Sequence, residues 1–120
     1  MKKTLTIITL LTIVTAVTMT NCNKNKPDNW HTLKKLHKTY KNGEISECSY
    51  NDETVYSAAI NAYDAGNAVY DKDGKQIGTC NYNSGSVDAI CGQLQGCEVI
   101  YRVDNNIWGQ PAVDKYGLGN

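Results

Sequence analysis

The run Val69-Tyr70-Asp71-Lys72-Asp73-Gly74-Lys75-Gln76-Ile77-Gly78 decides the fold. Two β-prone segments flank Lys72-Asp73-Gly74-Lys75, and Asp and Gly both tolerate the positive φ that a tight reversal needs. The run therefore predicts a hairpin, with one strand over 67–71 and its partner over 76–82. Upstream, 44–50 reads as a strand, Asn51-Asp52 as a second tight reversal, and 53–61 as a further strand. In that strand Tyr56, Ala58 and Ile60 share one face, and Val55, Ser57 and Ala59 the other. Residues 62–66 connect it to the hairpin. Downstream, 83–96 is irregular, with Gly85, Gly92 and Gly96; 98–103 is rich in strand formers. The tail 104–120 carries Trp108, Pro111 and Tyr116 and is expected to dock on the body.

Ahead of the strands the period changes. Trp30, Leu33, Leu36, His37 and Tyr40 recur at helical spacing, which predicts a helix capped by Asp28 or Asn29 and running to about Lys41. Asn42-Gly43 supplies its stop, through a left-handed cap. The fold class is then α+β: one N-terminal helix packed on a small antiparallel sheet of about five strands, within a single domain over 29–120. A chain of 120 residues excludes a multidomain assembly. It has no Phe; eight Tyr and two Trp provide the aromatic mass of its core.

The first residues read as an address. Lys2 and Lys3 precede an apolar, Thr-containing segment over 5–19, shorter than a membrane-spanning helix requires. This predicts a signal peptide over 1–21. Cys22 follows directly, after Met19-Thr20-Asn21, in the manner of a bacterial lipoprotein whose new N-terminal Cys is acylated, although Asn21 replaces the usual small residue. The expectation is lipidation (palmitate) of Cys22, a lipidated tether over 22–28, and anchoring in a cell envelope, with the outer membrane or periplasm as the compartment. An ordinary leader followed by a structural thiol is the alternative.

Five cysteines agree with that division. Removing Cys22 leaves Cys48, Cys80, Cys91 and Cys97, an even set that an oxidising compartment would pair. Three pairings are open. The short glycine-bearing loop between Cys91 and Cys97 favours Cys91–Cys97 with Cys48–Cys80. Their spacing lacks the close Cys pairs of structural zinc sites.

The zero formal net charge conceals an asymmetry. Residues 22–43 hold six Lys and one Asp; residues 44–120 hold four basic and eleven acidic side chains. Lys34, Lys35, Lys38 and Lys41 lie beside the apolar stripe and are read as the solvated face of the helix, with contact to anionic headgroups as the alternative. An acidic, exported body excludes nucleic acid as a partner. The Asp71–Gly74 run does not fit a calcium loop, since Lys75 and Tyr82 occupy ligand places. His31 and His37 are badly spaced to chelate a metal from one helix face, and no nucleophile–base motif occurs. The chain is therefore expected to be no enzyme, with no cofactor and no metal. Tyr rings beside polar groups suit partner surfaces, so Tyr56, Tyr70, Asn81, Tyr82 and Asn83 are the candidate binding surface.

The residues Val55-Tyr56, Ala62-Tyr63-Asp64 and Val69-Tyr70-Asp71 through Ile77-Gly78 to Cys80 resemble a run found in small cysteine-containing bacterial envelope lipoproteins of uncharacterised function. The resemblance spans about residues 53–85 and implies an envelope lipoprotein without supplying an activity. The expectation is a non-catalytic module that binds an envelope protein or an extracellular ligand. The alternative is an inhibitor or protective factor that blocks a secreted enzyme through a stapled loop over 83–97.

Overall fold

The computed structural model describes residues 26–120; the leader, Cys22 and most of the tether lie outside the described residues. One helix, α1 (Trp30–Tyr40), precedes a seven-stranded antiparallel sheet. Its strands are β1 (Glu44–Tyr50), β2 (Glu53–Ala59), β3 (Asn67–Tyr70), β4 (Gln76–Asn81), β5 (Ser86–Val87), β6 (Gln95–Arg102) and β7 (Val113–Asp114). They lie in the order β5-β4-β3-β2-β1-β6-β7. The sheet thus exceeds the expected five strands by β5 and β7. Each is only two residues long, too short for alternation to register in the sequence.

Both expected reversals form. Asn51 and Asp52 take φ of 50° and 61°, the two positive values of a tight hairpin turn whose twist matches the strands it joins. At the β3–β4 turn Gly74 takes φ of 86°, and the Asp71 carboxylate accepts the Asp73 and Lys75 amides at 2.9 Å each. Those bonds make Asp71 the side chain that ties the turn together.

The sheet buries both faces. On one, Leu33, Leu36 and Tyr40 of α1 pack against Ile45, Tyr56, Ala58, Ile100 and Leu118. On the other, Cys48, Val55, Val69 and Cys80 are covered by Ile90 from a short 3-10 turn, Ala89–Gly92. Alternation along β2 produces this division: Tyr56 and Ala58 point to the helix, Val55 to the second cluster. Each large side chain so buried contributes about 1.5–3 kcal/mol. Ile60, expected to continue the inner face, lies beyond the end of β2 and is exposed.

The lysines follow from this packing. The apolar stripe of α1 is spent on the sheet, so Lys35, Lys38 and Lys41 are exposed. Two details differ from expectation. Asn29 holds the N-cap position without a side-chain cap; its amide donates to the Tyr56 hydroxyl at 3.1 Å. Gly43 is required for close approach and not for a left-handed cap: any Cβ there would overlap the Ala59 carbonyl.

The disulfides are Cys48–Cys97 and Cys80–Cys91, which corrects the expected pairing. In the β1–β6 register, Glu47 faces Glu98 and Ser49 faces Gln95, so Cys48 and Cys97 lie side by side with Cα atoms 4.1 Å apart. Cys80 meets Cys91 across the chain reversal at β5, at 5.8 Å. The expected Cys48–Cys80 bond is geometrically closed off. β1 and β4 are separated by β2 and β3, so the gap is about 14 Å, three strand spacings and twice what a disulfide spans.

The tail docks as expected, through an anchor that periodicity does not reveal. Leu118 is 1 % exposed. Its amide and that of Gly119 donate to the Asp114 carboxylate at 2.7 and 2.9 Å, and its carbonyl accepts Lys34 Nζ at 3.2 Å. No helix among the described residues is long and apolar enough to cross a membrane.

Candidate functional site

The candidate site is a recess of about 240 Å³ where three chain segments meet. It is lined by the 60–66 connection, including Tyr63 and Asp64, by Asn83, and by Ile107 and Trp108. Ala59, at the end of β2, and Asn67, at the start of β3, belong to its lining.

Asparagines build these walls, because an Asn side chain offers both a donor and an acceptor to nearby backbone. The Asn81 carbonyl oxygen accepts the Asn83 and Ser84 amides at 3.1 Å each, which folds the chain back after β4. Its amide donates to the Asp64 carbonyl at 3.2 Å and so draws the 60–66 connection against β4. Asp64 takes φ of 62°, a conformation that Asp tolerates better than most residues. At Gly66, φ is 67°, and a Cβ would come within 2.7 Å of the Cys80 carbonyl oxygen. Only glycine allows that crossing. On the other side Asn61 accepts the Ile107 amide at 2.7 Å. Asn106 donates to the Val103 and Gln110 carbonyls at 2.8 Å and accepts the Gln110 amide at 3.1 Å, closing the 103–110 loop on itself.

Across the end of the recess, Asn83 Nδ2 donates to Asp64 Oδ1 at 2.9 Å. Among the described residues, Asp64 Oδ2 and Asn83 Oδ1 have no protein partner. Tyr63 is 79 % exposed on the rim and Trp108 is partly exposed. No Lys, Arg or His lines the recess.

The five residues expected to form one surface are dispersed. Tyr56 is 0 % exposed, in the core beneath α1. Tyr70 is half-buried on the helix side, its hydroxyl 2.6 Å from that of Tyr40. Asn81 is scaffolding, as above. Tyr82 is 71 % exposed and does not line the recess; Asn83 does. Sequence reasoning missed Tyr63, Asp64 and Trp108 as a group. Tyr63 and Asp64 sit in the 62–66 connection and Trp108 in a tail expected to dock, and no sequence pattern links the three.

Elsewhere the titratable groups serve the fold. Tyr40 is held well above the usual phenol range, first by burial and then by its bond to Tyr70. His37 packs edge-on to Tyr101 at 4.6 Å, and burial, followed by Lys34, pushes its pKa down. Among the described residues no group of three or more His, Cys, Asp or Glu is arranged to hold a metal. A larger depression of about 530 Å³ lies between the Asn51-Asp52 turn and the Gly92–Gln95 segment. Tyr50 is its one aromatic residue, and Asp52 its one charged residue. Comparison with protein-family models, with curated proteins and with solved structures finds no match to this chain.

Proposed function

We propose that this chain is a lipid-anchored, non-catalytic binding module of a bacterial envelope, and that its ligand occupies the recess between Tyr63 and Trp108. One observation carries the reading: two partly or largely exposed aromatic residues, Tyr63 and Trp108, line one recess with a bonded Asp64–Asn83 pair that keeps polar atoms without a partner among the described residues. Oriented polar groups beside aromatic rings are a usual means of fixing a small ligand in a pocket. The envelope address rests on the leader and on cysteine pairing. Cys48, Cys80, Cys91 and Cys97 pair with each other, which leaves Cys22 as the odd thiol available for acylation.

The test is photo-cross-linking in the native envelope from a reactive side chain placed at position 63, with the same group at position 52 as control. A discrete adduct from position 63 and none from position 52 is expected; equal labelling from both would defeat the assignment. Fractionation of Cys22→Ser checks the anchor, since retention in the membrane would contradict lipidation. A second reading draws on another observation: residues 82–89 are exposed without interruption and are tied at their base by Cys80–Cys91. Such a loop suits a protease inhibitor, and slowing of a secreted protease by the intact loop would favour that reading.

A further inference from the structure

We propose that the recess takes one unit of a neutral saccharide, its ring lying against Tyr63 and Trp108 and its hydroxyls on Asp64, Asn83 and Asn67. This rests on the reading of the recess as a binding site and names the ligand class.

The polar groups set the class. Asn83 donates one amide hydrogen to Asp64, and Asn67 donates one to Ser57 Oγ at 2.9 Å. Among the described residues this leaves Asp64 Oδ2, Asn83 Oδ1 and Asn67 Oδ1 as acceptors. A second amide hydrogen on each Asn remains as a donor. A ligand for such a mixed set must both donate and accept, and at the bonded Asp64–Asn83 pair it must do so at adjacent points. Adjacent hydroxyls do so, because each has one donor hydrogen and two acceptor lone pairs. An anionic ligand would meet the Asp64 carboxylate with no Lys, Arg or His in the lining to offset it. A cationic amine would find a single exposed carboxylate already bonded to an amide, and an exposed ion pair of that kind contributes little.

The apolar groups agree. A sugar ring presents C–H groups on its faces, which pack against aromatic rings, while its hydroxyls project from the edge. Tyr63 and Trp108 supply such rings, and the small side chains of Ala59, Ala62 and Ala65 take up little of the space beside them. The volume of about 240 Å³ falls below that of sites for drug-sized molecules, so it matches a single ring rather than a folded peptide segment. Tyr63 at 79 % exposure leaves the rim open, so further sugar units extend into solvent.

The experiment uses the purified full chain in detergent. Immobilised neutral oligosaccharides of glucose, galactose, mannose and N-acetylglucosamine are screened, and the best is titrated by calorimetry. Choline and a mixed peptide library are run in parallel. The expected result is saturable binding of at least one neutral oligosaccharide in the micromolar to millimolar range. Tyr63→Ala and Trp108→Ala should each weaken it by about tenfold or more. Asp64→Asn, which keeps the left-handed backbone accessible, should weaken it several-fold. Circular dichroism checks that each variant is folded; Tyr63→Ala, at an exposed site, keeps the test valid if Trp108→Ala disturbs its loop. Binding of choline or peptide that depends on Tyr63, with no sugar bound, overturns the saccharide assignment and leaves the binding-site reading intact. Absence of binding by every probe, with no adduct from position 63 in the envelope, overturns both. Sugar binding indifferent to Tyr63 and Trp108 overturns the placement.

Discussion

Removing the Cys48–Cys97 bond should cost more stability than removing Cys80–Cys91, although both join neighbouring segments in the folded chain. The reason lies in the unfolded state. A cross-link restricts the open chain according to the number of residues it encloses, and these bonds enclose separations of 49 and 11. Chain-closure entropy gives about 4 kcal/mol for the first and about 3 kcal/mol for the second. Cys48 and Cys80 are both buried, Cys91 is half-buried and Cys97 exposed, so alanine costs the 48/97 pair no more packing than the 80/91 pair, and the chain-closure difference sets the order. For a domain of this size, 4 kcal/mol corresponds to a fall in Tm of roughly 15–30 °C. The perturbations are Cys48→Ala with Cys97→Ala, and Cys80→Ala with Cys91→Ala. Each is expressed with export into an oxidising compartment and measured by urea denaturation against the parent. Peptide mapping without reduction assigns the bonds independently. Thiol counting on the denatured, unreduced parent should find none of these four cysteines free. A peptide linking Cys91 to Cys97 would refute the register-based assignment. A larger loss from the 80/91 pair than from the 48/97 pair would refute the entropic ordering.

Three further outcomes follow from the packing. Tyr70→Phe leaves the Tyr40 hydroxyl without its 2.6 Å partner and should cost about 1–3 kcal/mol in urea denaturation, whereas the double variant with Tyr40→Phe should recover part of that loss. The lowered pKa of His37 means that the unfolded chain takes up its proton first. Stability should therefore fall as pH drops below about 6.5 towards the lower folded value, and His37→Gln should flatten that part of the pH profile. Gly43→Ala forces a methyl group onto the Ala59 carbonyl and should lower Tm by several degrees at least, since the obstacle is backbone that cannot swing aside. A neutral Gly43→Ala would show that the junction of α1 and β1 can shift.

What was legible in the sequence is what local chemistry determines. Asn51-Asp52 and Lys72-Asp73-Gly74-Lys75 each specify a reversal within a few residues, and both form. The stripe from Trp30 to Tyr40 specifies a helix because its period is a local property, and its Leu residues find the sheet. Strand order is a different kind of fact. The pairing of β1 with β6 brings together segments some fifty residues apart, and no local signal marks it. The disulfide expectation failed on that point: Cys91 and Cys97 are close in sequence, but the 3-10 turn points one of them to β4 while β6 carries the other to β1. Leu118 was missed for the same reason, as an isolated apolar residue whose burial depends on Asp114 and Lys34.

The recess is the furthest removed from local reading, because most of its lining lies outside regular elements. Its lining comes from 59–67, from Asn83 and from 107–108, and these meet only after β3 and β4 have paired and the 103–110 loop has closed on Asn106. The asparagines carried a signal of a kind. Asn61, Asn81 and Asn106 each stand at or near the end of a strand, where a side-chain amide can satisfy backbone that the sheet no longer pairs. An Asn at a strand end then marks a loop whose backbone is tied to the body, so an aromatic residue on that loop is carried at a defined place although its ring is exposed. Tyr63 and Trp108 are both of this type: one follows Asn61 by two residues, the other follows Asn106 by two. Ordering the backbone of a loop that carries an exposed ring costs entropy that contributes nothing to a core. Under the proposed binding role a ligand would offset that cost, which is why this pair, and not the more numerous tyrosines of the sheet, is where binding should be sought.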